Sequence, residues 1–169
     1  MIRRALNSLP AKPVLWIAPL VIVLGLAFHY GDTYRICSAH AGLRADLMAA
    51  IESRAGGSGS LRLADIVTFP WDRADITVGY RPDGRTADCP FGWDWSEKER
   101  FALSERGLLT LIVFSRGGQL VDYIEVAADR ADFQNLKNPY TPDTAVFDVQ
   151  PTTGGGAAVL RPTGGPVRD

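Results

Sequence analysis

Histidine, cysteine and methionine are scarce in this chain, with two of each among 169 residues. Cys37-Ser38-Ala39-His40 has ligand-like spacing, but no second Cys/His pair exists to complete a structural zinc site. There is no Cys-x-x-Cys, which removes dithiol redox catalysis. There is no Gly-x-Ser-x-Gly elbow, and His40 is the one imidazole beyond the apolar N-terminal stretch, so a Ser-His-Asp site has little to draw on. Gly154-Gly155-Gly156 is followed by no Lys, unlike a phosphate loop. A basic excess is also missing. Eighteen Lys and Arg face nineteen Asp and Glu, a net charge of -1, which argues against binding nucleic acid by broad phosphate neutralisation. No cofactor is implied.

The first thirty residues lack acid altogether and carry Arg3, Arg4 and Lys12. The other fifteen basic residues and all nineteen acidic ones follow, so residues 31–169 have a net charge of -4. Behind the basic end comes a charge-free run of 15 residues, Val14 to Phe28, or 18 with Pro13, His29 and Tyr30. At about 1.5 Å per residue, 18 residues just cross a hydrocarbon core. Trp16 and Tyr30 stand near its two ends, where amphipathic rings favour the interface. The expected arrangement is a basic cytoplasmic segment at 1–12, an inner-membrane anchor at 13–30, and a periplasmic domain at 31–150. Gly25-Leu26-Ala27 also suits cleavage after Ala27, which would make the run a signal peptide. Tyr34-Arg35-Ile36 ahead of Cys37 lacks the small residues of a lipidation site.

Hydrophobic residues make up 46% and charged residues 22% of the chain, which excludes disorder throughout. Cys37 and Cys89 both fall on the exported side, where two such residues pair. The alternative is a metal site from Cys37, His40 and Cys89. Ser38 is placed to cap a helix to about Arg54, with Leu43, Leu47 and Ile51 as its apolar stripe. Gly56–Ser60 reads as a flexible connection. Strands are expected over Leu61–Phe69 and Ala74–Tyr80, with Pro70–Arg73 as the turn. Arg81–Trp95 is irregular. Ser96-Glu97-Lys98-Glu99 is a capping box for a short helix stopped by Gly107.

Leu108–Phe114 reads as a central strand, turned at Arg116-Gly117-Gly118 into a returning strand over Leu120–Val126. A helical turn is expected around Asp129–Leu136 and a strand through Ala145, Phe147 and Val149. Residues 151–169 hold five Gly and three Pro and read as a largely flexible tail in which Ala157–Leu160 can add an edge strand. The fold class is α+β: a small, mainly antiparallel sheet with two or three short helices behind one N-terminal transmembrane helix.

From Asp65 to Phe133 the chain resembles a group of small exported or membrane-anchored bacterial proteins. The resemblance rests on Phe69-Pro70-Trp71-Asp72-Arg73, a strand ending in Gly79-Tyr80, the apolar hairpin, and Asp132-Phe133. It covers about 70 of the 169 residues. The group's usual Pro between the Gly and the Tyr is absent here. The resemblance implies a fold and a compartment, not a reaction.

The candidate site is the aromatic and acidic set Trp71, Asp72, Tyr80, Trp93, Asp94 and Trp95, beside loops where flat rings and carboxylates suit a sugar or a partner's hot spot. The competing reading makes Trp71 and Trp95 core plugs and Asp72 a turn cap. A glycosidase-like carboxylate pair drawn from Asp72, Asp94 and Glu97 is a weaker possibility. The expected function is a non-enzymatic binding or accessory module that meets the inner membrane and another envelope protein. The alternatives are a periplasmic inhibitor or immunity protein, and a glycan- or small-ligand-binding domain or weak hydrolase.

Overall fold

The structure, a computed structural model, describes residues 11–56, 59–82, 88–151 and 156–163, with side chains from Pro19 onward. Residues 1–10 of the expected basic segment at 1–12, residues 57–58 of the expected connection, 83–87 of the irregular stretch, and 152–155 and 164–169 of the Gly/Pro-rich tail lie outside the described residues.

One continuous helix, α1, runs from Ala11 to Ala55, about 68 Å at the usual rise. The two helices expected at 13–30 and from Ser38 are thus one, because no proline falls between Tyr30 and Ser38. Ser38 sits inside the helix and its hydroxyl donates to the Arg35 carbonyl at 3.2 Å, so it caps nothing. Among the described residues no helix is long and apolar enough to cross a membrane. The side chains of 13–18, which begin the expected span, lie outside the described residues.

After α1, β1 (Gly59–Arg62) gives way at once to a turn of 3-10 helix at Leu63–Asp65. The expected strand to Phe69 is cut short there. The Val67 amide donates to the Leu63 carbonyl at 3.0 Å, and this curl keeps both side chains buried. Next come β2 (Arg73–Val78), α2 (Glu97–Glu105), β3 (Leu109–Arg116) and β4 (Gln119–Ala127). The capping box forms as the residues imply. The Ser96 amide donates to the Glu99 carboxylate at 2.7 Å, and the Glu99 amide to the Ser96 hydroxyl at 3.3 Å. The Ser96 amide, and the Ser96 hydroxyl donating at 2.8 Å, hold the Glu99 carboxyl below its ordinary pKa.

Strands β2, β3 and β4 form an antiparallel sheet with β3 in the centre. Gly117 and Gly118 turn the hairpin at φ 56° and 76°, a left-handed pair that suits the twist of the strands.

The chain then makes β5 (Ala131–Phe133), β6 (Val146–Gln150) and β7 (Ala158–Pro162). These join β1 in a second sheet of order β1-β6-β7-β5, in which β5 and β7 are parallel. Two expectations change here. The segment around Asp129–Leu136 is a turn and a strand instead of a helical turn. The Ala157–Leu160 segment is an interior strand, paired on both sides, instead of an edge. Its partners lie up to 27 residues upstream, beyond any local signal. The architecture is mixed α+β, with two helices and two mainly antiparallel sheets.

The core lies between α1 and the sheets. Leu47, Met48 and Ile51 of α1 meet Leu61, Ile112, Phe114, Ile124, Phe147 and Leu160, all buried. His40 reaches Asp122 and Arg44 reaches Glu125, so β4 advances in the same sense as α1. The hairpin tip therefore lies toward the apolar N-terminal part of the helix, and Val78, Thr110 and Val126, which align across the sheet, lie at the far end.

Because Leu160 is fully buried in an interior strand, Leu160→Ala is expected to cost about 2–5 kcal/mol. The shift in urea midpoint measures it. A midpoint equal to that of the wild type would show that β7 is dispensable.

Candidate functional site

The site begins with one face of α1. Cys37, His40 and Arg44 follow at spacings of three and four, so they stack on one side of the helix. The same face continues as Leu47 and Ile51 into the core. Its first half is polar or sulfur-bearing and its second half apolar, and each half meets a different part of the chain.

Cys37 is bonded to Cys89, at a sequence separation of 52 and with both side chains buried. Closing a loop of that length stabilises the fold by about 2–4 kcal/mol. The bridge takes both thiols away from the alternative metal set with His40, and the described residues hold no cluster of three metal-binding side chains. It also fastens the start of the aromatic loop to the helix. Pro90–Gly92 then make a 3-10 turn in which Phe91 takes φ 58°, a left-handed conformation costing about 1–2 kcal/mol for a side chain of this size. Its ring ends up 76% exposed. Trp93 turns back onto α1, with its ring 5.2 Å from Tyr34 and 6.5 Å from Tyr30.

Arg44 holds the next two residues. Its guanidinium forms a two-pronged ion pair with Asp94, one prong at 3.0 Å and the other between Nη1 and Oδ1. Its Nε donates to the Glu125 carbonyl at 2.7 Å. Its plane lies 3.7 Å from the centre of the Trp95 ring. A planar cation is needed for this set of contacts, since an ammonium could not serve a carboxylate, a carbonyl and a ring face together. Asp94 and Arg44 are 6% and 13% exposed at the side chain, so either one alone would be a poorly solvated charge.

Below this pair lies Glu125, 3% exposed, with one carboxylate oxygen 3.7 Å from Arg100 of α2. Its other oxygen has no hydrogen-bond partner among the described residues. Burial pushes the Glu125 carboxyl above its ordinary pKa of 4.5, although Arg100 and Arg44 pull the other way. Burial and the Glu125 charge likewise raise the neighbouring Tyr123 hydroxyl. His40 Nε2 is hydrogen-bonded to Asp122 at 3.0 Å, with its ring against Tyr123.

The sequence-predicted residues are thus distributed over three places. Trp71 is a core residue, 8% exposed and edge-on to Phe114 at 5.2 Å. Asp72 is exposed and accepts the Gly117 amide at 2.7 Å, so it braces the hairpin turn instead of an amide two residues on. Arg73 pairs with Asp75 at 2.7 Å on the surface. Tyr80 stands at the far end, half-buried, its amide bonded to the Leu109 carbonyl at 2.8 Å. Only Trp93, Asp94 and Trp95 share a region, and there Asp94 and Trp95 are engaged by Arg44. The sequence reading overlooked Arg44, Arg100, Asp122 and Glu125. The spacing of His40 and Arg44 from Cys37 was the available signal for the first of them.

Among the described residues, a cleft of about 270 Å³ lies between α1 and β4, lined by Ser38, Gly42, Leu43, Phe69 and Asp122. Another of about 350 Å³ lies at the far end beside Arg81, Pro82, Phe101, Ser104 and Glu105. Neither draws the predicted Trp and Asp residues together. No protein family, no curated protein and no solved structure matches the chain.

Removing one partner of the Arg44–Asp94 pair leaves a buried charge, so Asp94→Ala is expected to destabilise the fold by about 3–5 kcal/mol. Arg44→Met with Asp94→Leu removes both charges and should recover part of that loss, the remainder reflecting the Glu125 carbonyl left without its donor. Denaturant melts of the three proteins decide it, and equal losses in the single and double variants would sink the idea.

The raised Glu125 pKa gives a pH signature. Its stabilising effect is complete below the ordinary value of 4.5 and is lost as pH rises through the folded-state value. Glu125→Gln, always neutral, should therefore gain stability relative to the wild type as pH is raised from 4.5 into the neutral range. A difference in urea midpoint that stays constant over this range would refute it.

Proposed function

We propose that this protein is a membrane-anchored accessory module of the bacterial cell envelope. Residues 13–30 act as a single-pass inner-membrane anchor, and the domain works on the periplasmic side by engaging another envelope protein without chemistry of its own. The observation that carries the reading is the bare apolar row on α1. Leu20, Val21, Ile22, Val23 and Leu24 are 58–61% exposed, as are Leu26 at 50% and Phe28 at 78%. This helix runs without a break into the packed domain. A water-facing row of that kind is costly, and lipid removes the cost at about 25 cal/mol per Å². The charge-free sequence continues upstream to Val14, and Arg3, Arg4 and Lys12 favour a cytoplasmic N-terminus.

The far end of the domain suits the partner. Val78 and Phe101 are 44% and 57% exposed there, and Phe101 borders the cleft beside Arg81 and Pro82. A tether raises the effective concentration of such a surface for a membrane-bound partner. A second reading, an inhibitor of a basic envelope enzyme, is favoured by the net charge of -4 on residues 31–169. It predicts an affinity that falls with salt.

The test is affinity purification of the tagged full-length protein from native membranes after mild crosslinking. The protein should stay in the membrane pellet after an alkaline carbonate wash. One stoichiometric partner should be captured and be lost with Phe101→Asp. Release by carbonate would overturn the anchor, and capture unaffected by Phe101→Asp would overturn the partner surface.

A further inference from the structure

We infer that the loop Pro90–Trp93, together with Tyr30 and Tyr34, is an interfacial foot that seats the domain on the lipid bilayer from which α1 emerges. This inference rests on the anchor reading above and adds the orientation of the domain to it.

The exposed apolar side chains beyond Phe28 are not spread evenly. Tyr30, Tyr34 and Ile36 lie on the helix as it enters the domain, Phe91 lies on the loop fastened there, and Leu120 and Val121 lie beside the hairpin tip. All six are at the end of the domain continuous with the apolar row. Only Val78 and Phe101 of the described large apolar residues are exposed at the other end.

Helix geometry sets the heights. If the hydrocarbon ends near Phe28, Tyr30 stands about 3 Å and Tyr34 about 9 Å beyond it. The headgroup layer is roughly 5–7 Å deep on each side, where Trp and Tyr are favoured, and helical side chains lean toward the N-terminus, which brings the Tyr34 ring back to its outer edge. Phe91 and Trp93 are held beside these two tyrosines, their rings 5.8 and 6.5 Å from Tyr30 and that of Trp93 5.2 Å from Tyr34. Pro90-Phe91-Gly92-Trp93 contains no charge that would resist entry. Asp32 is two residues from both Tyr30 and Tyr34, so it projects from another side of the helix. The disulfide between Cys89 and Cys37 fastens the start of the loop to the helix about 10 Å beyond Tyr30, and the loop returns from there toward the bilayer. The left-handed turn at Phe91 leaves that apolar residue largely exposed beside Tyr30 and Trp93.

The test uses full-length protein with Trp16→Phe, so that emission comes from Trp71, Trp93 and Trp95. It is reconstituted into phosphatidylethanolamine–phosphatidylglycerol vesicles with plain or acyl-brominated chains. The expected result is co-flotation with the vesicles, a loss of emission in the brominated ones, and disappearance of that loss when Trp93→Phe is added. Co-flotation without quenching, or quenching that persists without Trp93, overturns the foot and leaves the anchor standing. The first outcome would assign the patch to a protein or glycan instead of lipid. Failure to float overturns the anchor reading and the foot with it.

Discussion

The Arg44 guanidinium is the contact on which the arrangement of the domain depends. It joins three pieces of chain that are distant in sequence: α1, the aromatic loop through Asp94 and Trp95, and β4 through the Glu125 carbonyl. No apolar side chain could do this. A carboxylate entering a nearly dry space needs a charge-assisted partner, and a backbone carbonyl needs a donor. Arg44 meets both demands while its flat face covers an indole. The disulfide seven residues earlier on the same face secures the other end of the loop. Together they fasten both ends of a stretch with little regular structure.

This explains why an irregular loop can carry a defined surface. Between Cys89 and the capping box at Ser96, Phe91 is left to face outward and Trp93 lies half-buried against Tyr30 and Tyr34, while Asp94 and Trp95 meet Arg44. The division is set by what α1 presents: aromatic side chains at Tyr30 and Tyr34, sulfur at Cys37, and a cation at Arg44. A single rigid helix thus fixes the height of every contact along it. The buried Glu125–Arg100 contact behind this junction contributes little net stability, because desolvating both groups offsets their attraction. Its consequence is a dependence of the packing on protonation, since burial raises the Glu125 pKa.

Much of the local structure was legible in the residues. Ser96 and Glu99 define a helix start by their own hydrogen bonds, and Gly117-Gly118 between two branched runs defines a hairpin. The two cysteines had one partner each to choose. Other features were hidden. Ser38 looks like a cap, but a cap requires the chain before it to leave the helix, and nothing there makes it do so. The strand at Ala158–Pro162 is short and flanked by Gly and Pro. It becomes interior because β5 and β6 leave a gap between them that it fills. Trp71 reads either as a loop aromatic or as a core plug, and it is a core residue because β3 brings Phe114 against it.

By itself the sequence determined what depends on neighbours in the chain: the helix stripe, the capping box, the hairpin, the charge-free run and the pairing of Cys37 with Cys89. Each follows from spacing, backbone preference or elimination over a few residues. The tertiary structure alone decided which aromatic residues face solvent, that Asp94 is spent on Arg44, and that β7 lies inside its sheet. Those outcomes depend on desolvation and on hydrogen-bond partners about 30 to 80 residues away. No local pattern encodes which of many distant groups will meet a buried charge or close an open strand edge.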